Sequence, residues 1–435
     1  MKLDNPSRSG RAPERRPGSG LLKIPALVGM LVLLSLALYG CGGSGQNSGQ
    51  SSGNADADSG STSQNASKNA SNSEGTSGGM EATEATKSMG GTSEATSRSA
   101  GESPGGEEGG GDKPEAVKGL YVPGTAAGGQ KMAGILQTAE ETEVNALVVD
   151  VKEAGHTTYP SEVPLAREIG ATTRQIPDLE KLVEKLEDRD IYTIARLSVF
   201  QDDVLPRERP DLAVLDSATG GPWRTYQGGT WANPYRESTW EYNAAIAKEA
   251  AEAGFDEIQL DYVRFPSDGP MNRLSYGEKT APTQAAAIAG FLEHTQKELE
   301  PTGAELSADV FGLVGMNDRV GIGQIVSEMS PHLDVLSPMV YPSHYPAGAY
   351  GYGNPDAYPY EIVELAMDDF SKKARKANPE IEIRPWLQDF DYVSAYGPTQ
   401  IEAQINAARD SGIRGWLLWN AAGEYTETVL GVGGQ

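Results

Sequence analysis

The chain has 435 residues, a formal net charge of −25, one cysteine and four histidines. A single cysteine excludes an internal disulfide framework, a cysteine-built zinc site and a protein-ligated iron–sulfur cluster. The charge is uneven: residues 1–116 hold 10 basic and 13 acidic side chains, whereas residues 117–435 hold 26 and 48, a net of −22 that repels nucleic-acid phosphates.

Residues 1–41 read as an address. Six basic residues between Lys2 and Lys23 precede an almost wholly apolar run, Ile24–Gly40, in the order of a secretory signal. The run ends Leu38-Tyr39-Gly40-Cys41, which resembles a bacterial lipobox and marks Cys41 as the expected lipidation site. The alternative is an uncleaved anchor helix, since 17 apolar residues nearly span a bilayer. Both place the rest of the chain outside the cytoplasmic membrane, held to it through the N-terminus. Residues 42–115 carry no Val, Leu, Ile, Phe, Trp or Tyr, so nothing offsets the entropy of ordering them. Seventeen glycines and sixteen serines between Cys41 and Lys113 predict a flexible, disordered tether.

From 116 to 432 one pattern recurs: a short apolar run, then a helical stretch. The predicted strands are 117–123, 146–152, 192–200, 257–265, 305–311, 335–341, 383–390 and 415–420. The predicted helices are 131–142, 178–187, 241–253, 283–299, 322–329, 360–376 and 399–410. Leu179, Leu182, Val183 and Leu186 show the helical spacing, and Gly254, Gly303 and Gly412 stand where C-caps belong. Eight such units predict an α/β fold, a (β/α)8 TIM barrel. An open doubly wound sheet would show a phosphate-binding glycine turn after its first strand; Gly124-Thr-Ala-Ala-Gly128-Gly129 fits no such fingerprint and reads as an ordinary loop.

A barrel carries its chemistry at the C-terminal ends of its strands. There the apolar runs acquire polar residues: Asp150, Lys152 and Glu153, then Arg196, then Asp261 and Arg264, then Asp309, Tyr341, Trp386, Gln388, Asp389, Asp391, Trp419 and Asn420. Asp150 and Lys152 share a face by the strand period and could pair with each other, with Arg196 as a partner in an ion network. Asp261 and Asp309 lie at equivalent depths on adjacent strands. Two facing carboxylates split their pKa values, which is what glycosidic cleavage needs. The competing readings are a structural aspartate pair held by Arg264 or Lys152, or a pair on a divalent cation. Glu153, Asp389 and Asp391 are lesser candidates for the second carboxylate. Only one of Gln388 and Asp389 can face inward on a regular strand. Trp223, Trp231, Tyr341, Tyr345, Trp386 and Trp419 are candidates for stacking on sugar rings, Trp416 for the core, and the tyrosine-rich segment 341–360 for a lid.

Asp150-Val-Lys152, Leu260-Asp-Tyr-Val-Arg-Phe-Pro266, Ala308-Asp-Val-Phe-Gly312, Pro338-Met-Val-Tyr-Pro-Ser-His-Tyr345 and Pro385-Trp-Leu-Gln-Asp-Phe390, in this order, resemble a bacterial family of glycoside-hydrolase-type (β/α)8 domains formerly catalogued as a domain of unknown function. It is more distantly similar to the α-amylase-type glycosidases. The resemblance covers about 117–425 and implies a TIM barrel with a carbohydrate-active site. Amylase-like enzymes place the nucleophile at the end of strand four, matching Asp261, and a glutamate acid/base at the end of strand five, where this chain has Asp309.

The expectation is a surface-tethered glycoside hydrolase acting on an extracellular or cell-wall polysaccharide. Asp261 and Asp309 are its catalytic pair; Asp150, Lys152, Arg196, Arg264, Tyr341, Trp386, Gln388, Asp389, Trp419 and Asn420 bind substrate, with no cofactor and no metal. Retaining and inverting chemistry both stay open. The alternative is a non-catalytic carbohydrate-binding protein on a degenerate barrel; a metal-dependent hydrolase is a third reading, with only His156 and His344 near strand ends. The overall acidity favours a neutral or cationic glycan over an anionic one.

Overall fold

The computed structural model describes residues 113–431. The signal or anchor segment, Cys41 and nearly all of the tether lie outside the described residues. Eight parallel strands form a closed ring: β1 (Lys118–Val122), β2 (Ala146–Glu153), β3 (Tyr192–Ser198), β4 (Glu257–Asp261), β5 (Glu305–Phe311), β6 (Val335–Met339), β7 (Trp386–Gln388) and β8 (Trp416–Trp419). Each pairs with its sequence neighbour, and β1 closes the ring by pairing with both β2, Gly119 opposite Ala146, and β8, Lys118 opposite Trp416. The chain is therefore a (β/α)8 barrel.

The helices that return the chain are α1 (Lys131–Glu141), α2 (Leu179–Glu187), α3 (Glu237–Glu252), α4 (Gln284–Leu299), the single turn α5 (Val326–Met329), α6 (Pro359–Ala377) and α7 (Pro398–Asp410). Their signals are local. Asp178 caps α2 by accepting from the Lys181 N–H, and Leu179, Leu182, Val183 and Leu186 form its buried stripe. Gly254 and Gly412 take the left-handed conformation just past α3 and α7, which a side chain would resist.

Four expectations need correcting. The helix over 322–329 shrinks to one turn, because Ile322 and Gln324 instead tie down neighbouring loops through Phe265 N–H to Ile322 O, and Gln324 to the Asp309 and Phe311 backbone. The Gly124 segment is a helical turn, Gly124–Ala127, rather than a loop. Strand four stops at Asp261, four residues early, because Tyr262 adopts φ 51°. Within 383–390, Pro385 interrupts the strand for want of an N–H; Glu382 and Trp386 nevertheless stay in one register, opposite Val335 and Met339.

The barrel interior is layered. At its N-terminal end Glu257 and Arg384 form a fully buried ion pair of 2.7 Å. Above it Gln259 donates to Ser337 Oγ at 3.2 Å. The third layer, at the C-terminal ends, holds the candidate site. The larger apolar core lies outside the strands, against the helices.

Candidate active site

Arg196 organises the site. It reaches the top of β3 with its side chain inside the barrel and is only 5 % exposed. Its Nη1 donates to Asp150 Oδ1 at 2.5 Å, its Nη2 donates to Asp261 Oδ2, and its Nε lies 3.6 Å from Asp309 Oδ2. One guanidinium thus faces the carboxylates of β2, β4 and β5. Its carbon also sits 4.9 Å from the Trp419 ring centre, and Trp419 stacks on Tyr121 at 4.0 Å. Aromatic walls of this kind lower the local dielectric and strengthen each charge interaction.

The three aspartates differ in their partners. Asp150 is fully buried; Tyr121 donates its hydroxyl to Oδ2 at 2.5 Å, and burial still pushes the carboxyl above its ordinary range against the pull of Arg196. Asp261 accepts from Arg196 on one oxygen and from the Tyr262 N–H on the other, at 2.5 Å. That second bond comes with the left-handed conformation of Tyr262, a strained backbone state for an aromatic residue. Asp309 accepts the Trp386 indole N–H on Oδ1 at 2.7 Å, while Oδ2 accepts no hydrogen bond among the described residues. Burial, then the neighbouring Asp261 charge, pushes the Asp309 carboxyl well above the ordinary range; Arg196 and Trp386 oppose this. Asp309 therefore favours the protonated form next to an Asp261 held by a cation.

Glu153 ends β2 immediately before the left-handed Ala154 and Gly155. It is half-buried, and no ion pair ties its carboxylate among the described residues. Burial, then Asp150, raises it to about 7, and Arg196 pulls it down.

The other predicted residues divide. Tyr341, Trp386 and Trp419 line the same interior as the aspartates, and burial, then the Asp309 and Asp261 charges, pushes the Tyr341 hydroxyl well above its ordinary range. Gln388 faces inward and accepts from Ser343 Oγ at 2.8 Å. Asp389 faces away: Thr426 donates its N–H and hydroxyl to it at 2.9 and 2.8 Å. Asn420 donates to the Asp389 carbonyl at 2.6 Å, so both residues brace the loop after β8. Asp391 accepts the Tyr396 N–H at 2.7 Å.

Lys152 does not pair with Asp150. The register of β2 on β3 slips between these residues, which turns Lys152 out of the barrel. It is fully enclosed there, 2.8 Å from an equally enclosed Asp202, so it presents no atom to a ligand. Neither Lys152 nor Arg264 holds the aspartate pair; Arg196 does. Trp223 and Trp231 are fully buried core residues rather than exposed stacking platforms, and so is Trp416. Of the tyrosine-rich segment, Tyr341 and Tyr345 are buried and Tyr358 is exposed. His344 is half-buried, and burial lowers its pKa to about 4. Among the described residues no group of three His, Cys, Asp or Glu is placed to hold a metal ion.

Sequence reasoning missed Tyr121 and Gln324. Tyr121 reads as one more apolar residue of β1, and only its hydroxyl bond to Asp150 shows its part. Gln324 pins the backbone at both Asp309 and Phe311 from a loop with no motif.

The chain is similar to a hypothetical protein from Ruminiclostridium thermocellum ATCC 27405, at 39 % identity over 44 % of this chain and 97 % of that one, with a TM-score of 0.40. It is also similar to the PgaB (BpsB) glycoside hydrolase domain from Bordetella bronchiseptica, at 13 % identity over 73 % of this chain and 100 % of that one, with a TM-score of 0.53, a likeness of fold. No curated protein matches. Residues 119–425, which span the barrel and all three aspartates, match the family described as "Putative glycosyl hydrolase domain", and the chain belongs to that family.

Proposed function

We propose that the barrel hydrolyses glycosidic bonds of an extracellular or cell-wall polysaccharide, with Asp261 and Asp309 as its working carboxylates. The observation that carries this reading is the bridge made by Arg196, which pairs with Asp261 and lies 3.6 Å from an Asp309 whose carboxyl burial and the Asp261 charge push well above its ordinary range. Asp309 would protonate the leaving oxygen from its free Oδ2, and Asp261 would attack the sugar carbon or activate a water. Asp150, Tyr121 and Trp419 hold Arg196 in place. The N-terminal segment through Cys41 would tether the barrel to the outer face of a membrane.

A second assignment of the proton donor rests on accessibility. Asp309 is 1 % exposed, whereas Glu153 reaches solvent with a carboxyl near neutrality. In that version Asp309 tunes Asp261 and Glu153 delivers the proton.

The test is release of reducing ends by the full chain from a panel of bacterial exopolysaccharides and cell-wall glycans. Wild type should cleave at least one, and Asp261→Asn should reduce that rate by roughly 10²–10⁴-fold. Comparable loss in Asp309→Asn with a mild effect of Glu153→Gln assigns the acid to Asp309; the reverse assigns it to Glu153. Binding of a glycan with no cleavage by any form would support the carbohydrate-binding alternative instead.

A further inference from the structure

Arg264 stands in the loop leaving β4, three residues beyond Asp261, and is 5 % exposed. Its guanidinium carbon lies 4.8 Å from the Trp231 ring centre, 5.2 Å from that of Tyr262 and 4.5 Å from that of Phe311. Tyr262 directly follows Asp261 and Phe311 lies two residues past Asp309. The cation is therefore held between the ends of the two strands that carry the aspartate pair.

Its hydrogen bonds are few. Nη1 donates to the Phe265 carbonyl at 3.0 Å and to Ser267 Oγ at 3.1 Å. Nε is buried with no acceptor among the described residues. Nη2 has no acceptor among the described residues, and the side chain as a whole keeps 5 % of its surface exposed. The other buried cations are closed by carboxylates: Lys152 by Asp202, Arg196 by Asp150 and Asp261, Arg384 by Glu257 and Glu382. No carboxylate lies within ion-pair distance of Arg264 among the described residues; Asp261 and then Asp268 bear on it only at longer range, and Asp268 Oδ2 is buried and unpartnered among the described residues. A buried charge is costly until it is paired, and a planar guanidinium flanked by aromatic faces pairs best with a carboxylate.

We infer that Arg264 forms a subsite for a carboxylate carried by the glycan, a uronic acid or a sugar with a lactyl ether, beside the bond acted on by Asp261 and Asp309. This rests on the hydrolase reading and narrows its substrate class. It also reverses the expectation drawn from overall charge. The net −22 acts through solvent and is screened over about 8 Å at physiological ionic strength, whereas Arg264 acts at contact among aromatic walls.

The test uses the full chain and saturation-transfer NMR titrations with glucuronate, galacturonate and N-acetylmuramate, each against its methyl ester. Wild type should bind at least one acid about tenfold or more tightly than its ester, and Arg264→Met should erase that preference, weakening acid binding more than ester binding. Arg264→Lys, which keeps the charge without the fork, should retain part of it and serves as the reading if the Met variant fails to fold by circular dichroism. Acid and ester binding alike, binding of neither, or an acid preference that survives both substitutions overturns the subsite. Cleavage of a neutral glycan that depends on Asp261 and ignores Arg264 would overturn the subsite and leave the hydrolase reading standing. An acid preference that depends on Arg264, with no cleavage of any glycan, would do the opposite.

Discussion

Trp386 donates its indole N–H to Asp309 Oδ1 across 2.7 Å, from a strand two places around the barrel. The bond stabilises the charged form of Asp309 against burial and the Asp261 charge, which both favour the neutral form. Trp386→Phe should therefore raise the Asp309 pKa further and move the alkaline limb of the rate profile to higher pH. It should also cost about 1–3 kcal/mol of stability. An unchanged limb in a stably folded variant would reduce Trp386 to packing.

Arg196 neutralises Asp150 and Asp261 together. Arg196→Met leaves both carboxylates buried without a cation, and the expected loss is about 3–5 kcal/mol at pH 7. Burial already holds the Asp150 carboxyl above its ordinary range against the pull of Arg196, so without the guanidinium its folded-state pKa rises further. The variant should then gain stability as pH falls, and its deficit relative to wild type should narrow towards pH 4 in denaturant melts. A deficit that is constant with pH would contradict the network.

Lys152 and Asp202 form a closed pair with both side chains fully enclosed. Lys152→Met alone should destabilise by about 3–5 kcal/mol, and Lys152→Met combined with Asp202→Leu should recover much of that loss. Because Lys152 faces away from the site, the KM of the folded variant should stay at the wild-type value. A raised KM at intact stability would restore Lys152 to substrate binding.

Glu153 has a folded-state pKa of about 7, raised from 4.5 mainly by burial. A raised carboxyl contributes stability that is full below its unfolded pKa and lost as pH climbs through the folded value. Wild type should therefore lose stability relative to Glu153→Gln between about pH 4.5 and 7. The expected loss is about 2 kcal/mol once the exposed edge of the side chain is allowed for. Chemical melts of the two proteins across that range measure the difference directly.

The barrel was legible because its signals are local and repeated. Val148-Val149-Asp150 and Leu306-Ser307-Ala308-Asp309 each show an apolar strand ending in a charge, and the helices between carry their own stripes and caps. Asp261 and Asp309 could be paired from register alone, since β4 and β5 run parallel with Leu260 opposite Ala308. What pattern could not show was side-chain direction. The register slip after Asp150 sent Lys152 outward, against the period of two. Trp223 and Trp231 look like sugar platforms in a loop, yet that loop folds over its own core and buries both. Asp389 and Asn420 sit where site residues belong but are occupied by Thr426 and by each other. The role of Arg196 needed three dimensions, because its partners come from β2, β4 and β5.

The most direct measurement is the initial rate of Asp261→Asn against wild type on a glycan that wild type cleaves, with folding of both checked by thermal melts. A rate lower by roughly 10²–10⁴-fold in a folded variant that still binds the glycan is the predicted result. A folded Asp261→Asn variant that cleaves at the wild-type rate would contradict the assignment of catalysis to this carboxylate pair.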